Sequence, residues 1–240
     1  MKDENIHSTP DLSLVVPCYN EEESIESTAT RLVRVFDRAK VDLELILVDN
    51  GSIDSTPNII KSLMARGLPV SEAHVPVNIG YGNGILKGLE TARGRFVGFT
   101  CADEQVSAED TLRVYKKAEA NPFPVLAKVR RRFRKDGPRR KVISITYNIA
   151  ANILFPGLGS IDINGNPKIF PGRLLGLLNL KSRDWFLDAE IVLKWRSMGL
   201  RIVEFDVQAK SRRAGKSKVG PATCLEFSIN MLRYRLKRFN

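Results

Sequence analysis

No run of about 18 apolar residues, the length a membrane-spanning helix requires, occurs in the 240 residues. Met1-Lys2-Asp3-Glu4-Asn5 has no basic segment leading into an apolar one, so no secretory leader is expected there. Cysteine is scarce. Cys18, Cys101 and Cys224 are odd in number and far apart, which excludes a disulfide framework and fits free thiols in a reducing cytoplasm. No cysteine pair has zinc-ligand spacing, and His7 and His74 stand too far apart to form a ligand motif. Internal repeats and low-complexity linkers are also missing, which excludes a solenoid or a beaded chain.

Charge is plentiful but uneven. The net charge is +11. Residues 1–120 hold 13 Lys and Arg against 19 Asp and Glu, whereas residues 121–240 hold 25 against 8. An acidic half that suits metal and nucleotide chemistry is thus joined to a basic half that suits an anionic partner. Phosphate groups, an anionic membrane surface and nucleic acid all fit that description. Nucleic acid ranks last, because no reader motif and no interleaving of aromatic with basic residues is present.

In chain order, Asp11–Pro17, Leu43–Val48, Val70–Val75, Arg95–Thr100 and Val125–Val129 read as strands. Helical patterns fall between them, over 24–40, 55–66, up to Gly94, and 107–119. This alternation predicts a largely parallel sheet covered by helices. Farther on, a hairpin is expected over Asp162–Phe170, a helix over Trp185–Met198 and a strand over Ile202–Val207. The tail from Leu225 mixes Phe227, Ile229, Met231, Leu232, Leu236 and Phe239 with Arg233, Arg235, Lys237 and Arg238, an amphipathic and basic composition.

Acids mark the ends of two strands. Asp49 closes the second and Asp103, with Glu104, follows the fourth. Ligands of open α/β sheets bind beyond the carboxyl ends of strands, and carboxylates there suit a divalent cation that bridges phosphates. Each acid also has a plainer reading: Asp49 as the cap of an Asx turn, Asp103 and Glu104 as solvated loop residues, Asp188 as a helix cap. Gly80-Tyr81-Gly82-Asn83-Gly84 lacks the third glycine of a dinucleotide fingerprint, since Ile85 or Lys87 stands in its place. The glycines are expected to let a helix end approach a ligand or the sheet closely. Arg212-Arg213-Ala214-Gly215-Lys216-Ser217-Lys218 does not match a P-loop; a solvated basic loop and a diphosphate site fit it equally.

Taken together, Val16-Pro17-Cys18-Tyr19-Asn20-Glu21, Val48-Asp49-Asn50-Gly51-Ser52, Asn78-Ile79-Gly80-Tyr81-Gly82, Cys101-Ala102-Asp103 and Arg212-x-x-Gly215-x-Ser217-Lys218 occur in a familiar order. Over residues 12–220 the chain resembles family 2 of the inverting, nucleotide-sugar-dependent glycosyltransferases. Within that family it is similar to the dolichol- or polyprenyl-phosphate sugar transferases. The resemblance implies a GT-A fold: one α/β domain with a mostly parallel central sheet and helices on both faces. Residues 11–128 would form the nucleotide-sugar half, 129–220 the acceptor and phosphate half, and 221–240 a basic amphipathic tail.

The resemblance also implies roles. Pro17, Tyr19, Glu21, Asp49, Gly80 and Ala102 would line the nucleoside pocket. Asp103 would serve catalysis and, with Gln105, the metal, a magnesium or manganese ion. Arg212, Ser217 and Lys218 would hold phosphates, and Asp188 would stand near the acceptor. The implied partners are a nucleotide-diphosphate sugar donor, a lipid-phosphate acceptor, and a membrane surface or membrane protein that the protein meets peripherally. The alternatives are a sugar-hydroxyl acceptor, with Asp188 as its base, and a nucleotide-binding relative without turnover. Cys101 stands where the family's Asp-x-Asp motif has its first acid. A thiol is a softer ligand than a carboxylate and suits magnesium poorly.

Overall fold

The computed structural model describes residues 9–131, 148–149, 151–208 and 229–236. Seven strands form one sheet: β1 (Leu12–Cys18), β2 (Leu43–Asn50), β3 (Val70–Val75), β4 (Phe96–Phe99), β5 (Val125–Arg131), β6 (Lys168–Pro171) and β7 (Arg201–Val207). Their spatial order is β3-β2-β1-β4-β6-β5-β7. Only β6 runs antiparallel, pairing with β4 on one side and β5 on the other. The helices of nine or more residues among those described are α1 (Ile25–Arg38), α2 (Thr56–Ala65), α3 (Tyr81–Leu89), α4 (Ala108–Glu119) and α5 (Leu187–Ser197). The expected α/β architecture with a mostly parallel sheet is therefore present.

Strand alternation divides the core. Leu12, Leu14, Val16 and Cys18 of β1 and Leu43, Leu45 and Leu47 of β2 pack on one face, with Ile25, Leu32 and Phe36 of α1 and Val114 and Tyr115 of α4. Val15, Ile46 and Val48 point the other way, toward Ile85 and Leu89 of α3 and Ile191 and Trp195 of α5. A fully buried side chain of this kind contributes roughly 1.5–3 kcal/mol over the exposed state. Helix α4 also carries its own end signals. The hydroxyl of Ser107 accepts from the Asp110 amide at 3.0 Å, and acids at 109 and 110 and lysines at 116 and 117 complement the helix dipole.

The hairpin expected over Asp162–Phe170 does not form. Residues 162–165 make a turn, with the Gly165 amide donating to the Asp162 carbonyl at 2.8 Å, and β6 then enters the middle of the sheet. The physical reason is burial: Ile169 and Phe170 are fully enclosed, one on each face, which a solvent-edged hairpin would not achieve.

The loops after β1 and β2 are lashed together. The amides of Asn20 and Glu21 donate to the hydroxyls of Ser52 and Thr56 at 3.1 and 2.9 Å. In return, the Ile53 amide donates to Asn20 Oδ1 and the Ser55 amide to Glu22 Oε2, both at 2.9 Å. Backbone groups that helix starts leave unpaired thus find partners across the gap. The result is a stiff rim at the carboxyl ends of the strands.

Candidate active site

A cleft of about 240 Å³ opens at that rim. Pro17, Cys18, Tyr19 and Glu21 from the end of β1 line it together with Asn50 from β2, and Asn78, Gly80 and Tyr81 lead into α3. Cys101, Ala102 and Asp103 follow β4, and Trp185 closes the far side. Six of the residues expected at the site, Pro17, Tyr19, Glu21, Gly80, Ala102 and Asp103, meet here.

The acids after β4 are held in different ways. The carboxylate of Asp103 accepts from the Gln105 amide at 3.2 Å, in a residue that is buried yet borders the cleft. Glu104, with a left-handed φ of 52°, turns toward α1 instead, where the Ser27 hydroxyl donates to it at 2.7 Å. The hydroxyl of Thr28 donates to the Ala102 carbonyl at 2.8 Å and fixes the loop between them. Asp103 alone therefore offers a cleft-side carboxylate from this loop. Gln105 is buried and is not among the lining residues.

Asp49 lies behind the wall. It points to the side of β2 opposite Asn50, where it accepts from the Ser52 amide at 2.9 Å and meets His74 Nδ1 at 3.1 Å. Asn50 faces the cleft; its amide nitrogen donates to the Gly80 carbonyl at 3.0 Å. Alternation along the strand makes one neighbour structural and the other a lining residue.

The glycines before and within α3 permit a close approach, and what approaches is the chain segment 182–185. Gly80 has a φ of 137°, and a methyl group there would lie 2.3 Å from the Arg183 carbonyl. At Gly82 it would lie 2.5 Å from the Ser182 carbonyl. The Asn83 amide donates to Arg183 at 2.8 Å, and Trp185 stacks on Tyr81 with centroids 4.4 Å apart and planes at 10°. Gly82→Ala is expected to cost about 1–3 kcal/mol through overpacking. It would also lift Trp185 from Tyr81. Thermal unfolding and a red shift of tryptophan emission check both effects.

Asp188 sits in the first turn of α5, 3 % exposed, in an ion pair with Lys168, which is fully enclosed. Lys168 Nζ also donates to Asn166 Oδ1 at 3.0 Å and to the Gly165 carbonyl at 3.2 Å. Burial pulls the Lys168 ammonium down to about 8, against the pull of Asp188. Asn166 Nδ2 donates to the Tyr81 hydroxyl at 2.9 Å, so one chain of polar contacts runs from Asp188 to the cleft wall. Burial, and then the charge of Asp188, raises the Tyr81 phenol well above its ordinary value. Asp188 itself does not line the cleft.

Behind β5 the same economy of charge recurs. Arg131 grips Asp162 with two bonds of 2.9 Å, and Lys128 pairs with Glu204 at 2.9 Å. Burial would raise the Asp162 carboxyl, but Arg131 outweighs it and holds the group far below the usual range. Arg212, Ser217 and Lys218, the expected phosphate ligands, lie outside the described residues.

The family model described as glycosyl transferase family 2 matches residues 13–170. The chain belongs to glycosyl transferase family 2. Among its relatives is the undecaprenyl-phosphate 4-deoxy-4-formamido-L-arabinose transferase of Pseudomonas fluorescens, 33% identical over 223 residues, 92% of this chain and 64% of that one. A dodecaprenyl-phosphate galacturonate synthase of Rhizobium johnstonii is 34% identical over 225 residues, 92% and 65% of the two chains. The chain thus spans just under two thirds of the length of these relatives. Among solved structures, glucosyl-3-phosphoglycerate synthase of Mycobacterium tuberculosis, in complex with Mn2+, UDP and glucosyl-3-phosphoglycerate, superposes with a TM-score of 0.73 at 21% identity. That match covers 94% of this chain and 80% of the other, and it shows the GT-A glycosyltransferase fold.

Sequence reading missed Cys18, Asn50, Asn78, Tyr81 and Trp185 as lining residues of this family 2 cleft. For Tyr81 and Asn78 the signal was present in the Asn-Ile-Gly-Tyr-Gly motif. For Trp185, an aromatic residue just before a helix and about 100 residues from the glycines, sequence offered none.

Proposed function

We propose that this glycosyltransferase moves a sugar from a nucleoside diphosphate to the phosphate of a polyprenyl lipid, with inversion at the anomeric carbon. The carrying observation is the convergence of Pro17, Tyr19, Glu21, Gly80, Ala102 and Asp103 on one cleft beyond the carboxyl ends of β1 and β4. The relatives' names, which specify undecaprenyl and dodecaprenyl phosphate, support the acceptor class.

In this reading the nucleoside lies against Pro17, Tyr19 and Glu21, and the diphosphate lies toward Asp103. The new bond joins an acceptor phosphate oxygen to the anomeric carbon, and the old bond to the diphosphate oxygen breaks on the opposite face. Arg212, Ser217 and Lys218 are proposed to hold phosphate oxygens, as Arg and Lys side chains suit anions.

The donor set fits a divalent cation carried in on the diphosphate rather than a protein cage. Among the described residues no cluster of three or more His, Cys, Asp or Glu suits a metal. Asp103 supplies a hard oxygen, and diphosphate and water oxygens would complete the shell. Such a cation offsets the charge that develops on the leaving diphosphate. Cys101, beside Asp103 on the cleft wall, contributes a soft donor where an acid would otherwise stand.

The ion pair with Lys168 favours the lipid phosphate over a sugar hydroxyl. Asp188 already pairs with a buried ammonium and does not line the cleft, so it is poorly placed to meet an acceptor hydroxyl. A phosphate acceptor, with a second pKa of about 6, is ionised near neutrality and needs no base.

Thermal unfolding with UDP, GDP or CDP, with and without Mn2+, tests the donor half. One nucleotide is expected to stabilise the protein, by about 2.7 kcal/mol at a hundredfold excess over Kd. Transfer of radiolabelled sugar into a polyprenyl-phosphate extract tests the acceptor half. Stabilisation without labelled lipid would favour the nucleotide-binding reading, and no stabilisation by any nucleotide would defeat the proposal.

A further inference from the structure

The segment 229–236 is helical, and it is apolar on two sides. Its inner side is conventional. Met231 is buried in the core, and Tyr234 packs edgewise on the ring of Phe155 and at a tilt on that of Phe186, with centroids 6.1 and 5.8 Å away. Its outer side carries Ile229, Leu232, Arg233 and Leu236, spaced i, i+3, i+4 and i+7 on one exposed face. Leu232 is 51% and Leu236 66% exposed. The helical residues 148–149 and 151–154 behave alike: Ala151 is buried in the same core, while Ile149 and Ile153, four residues apart, are 55% and 72% exposed. The two helical segments adjoin through the contact between Phe155 and Tyr234.

Five large aliphatic side chains on adjoining helices are more than an ordinary soluble surface leaves in contact with water. Their neighbours are cationic. Arg233 lies on the exposed face itself, and a groove of about 530 Å³ next to Phe155 is bordered by Arg196 and Arg235. Arg196 donates to the carbonyl oxygens of Gly157 and Leu200, at 3.0 and 3.1 Å, and has no acidic partner among the described residues. Aliphatic side chains edged with arginine are complementary to one occupant above others, the interface of an anionic bilayer, where acyl chains receive the former and headgroup phosphates the latter. Among the described residues no helix is long and apolar enough to cross that bilayer.

The helix is also tied to the cleft. Asn230 Nδ2 donates to Asp184 Oδ2 at 2.7 Å, and Tyr234 packs on Phe186. Trp185, between those two anchors, forms the cleft wall. We infer that the outer faces of the helical residues 148–149, 151–154 and 229–236 form a docking surface for anionic membranes, one that sets the Trp185 side of the cleft toward the lipid. This rests on the proposed use of a lipid-phosphate acceptor, which would enter from that side.

Vesicle co-sedimentation tests it, using phosphatidylcholine alone and phosphatidylcholine mixed with phosphatidylglycerol. The wild-type protein is expected to bind the mixed vesicles and to bind neutral ones weakly. Leu232→Ser with Leu236→Ser should weaken binding on the order of a hundredfold, since two inserted side chains are lost. Arg233→Gln alone should cost on the order of fivefold, the equivalent of about 1 kcal/mol for one basic group at an anionic surface. All three positions are exposed, so circular dichroism and thermal unfolding should match the wild type. Failure of the wild-type protein to bind, or binding that ignores these substitutions, overturns the inference. So does a concentration-dependent dimer abolished by the leucine pair without vesicle binding, which would assign the face to a second copy. Nucleotide stabilisation, measured on the same samples, keeps the two readings apart. Vesicle binding without it would leave the surface standing and defeat the transferase reading, and the converse would do the opposite.

Discussion

Lys168→Met is expected to lower the unfolding free energy by about 3–5 kcal/mol, because it leaves Asp188 buried without its counter-charge. Lys168 is fully enclosed and also donates to Asn166 and Gly165, so its loss strands acceptors as well as a carboxylate. Denaturant titration measures the loss as a lower midpoint. Adding Asp188→Leu to the same protein should recover most of it, since replacing a whole buried ion pair with apolar groups is often near neutral. The double variant then separates two roles for Asp188. Recovered stability with recovered transfer would make the pair purely structural. Recovered stability without transfer would show that the contact chain through Asn166 to Tyr81 positions the cleft wall for turnover.

Asp103→Asn is expected to reduce transfer by about 10²–10³-fold, the size of effect seen when one group that stabilises transition-state charge is removed. The substitution keeps shape and the Gln105 amide contact and removes only the negative charge. Stability should therefore change little, and the loss should fall on kcat and on the metal-dependent part of nucleotide binding. Steady-state kinetics at several Mn2+ concentrations checks this. Transfer at the wild-type rate would remove Asp103 from the site.

Much of the first half was legible because local pattern and tertiary environment agree there. Leu43–Val48 alternates between two buried faces, and the glycine-rich stretch before α3 announces a close approach, though not that residues 182–184 make it. Other features depend on partners distant in sequence. Lys168-Ile169-Phe170-Pro171 has too few residues to declare a central strand, and the charge of Lys168 argues against burial until Asp188 is known to face it. The resemblance names Asp49 for the pocket and not Asn50, yet Asn50 occupies the cleft face of β2, and His74 on the neighbouring strand meets the acid on the other face. Trp185 reaches the cleft only because Gly80 and Gly82 have no side chains to keep its segment away.

The reciprocal bonds between the loops after β1 and β2 make residues outside the cleft lining part of the energetics of the proposed nucleotide site. Thr56 holds the Glu21 amide, and Ser52 the Asn20 amide; neither side chain borders the cleft, yet each sets the backbone from which Tyr19 and Glu21 project. Changes in the two loops should consequently be non-additive in their effect on nucleotide affinity, because each loop is the other's scaffold. Ordering both was accomplished when the chain folded, so the donor meets a wall with little freedom left to lose.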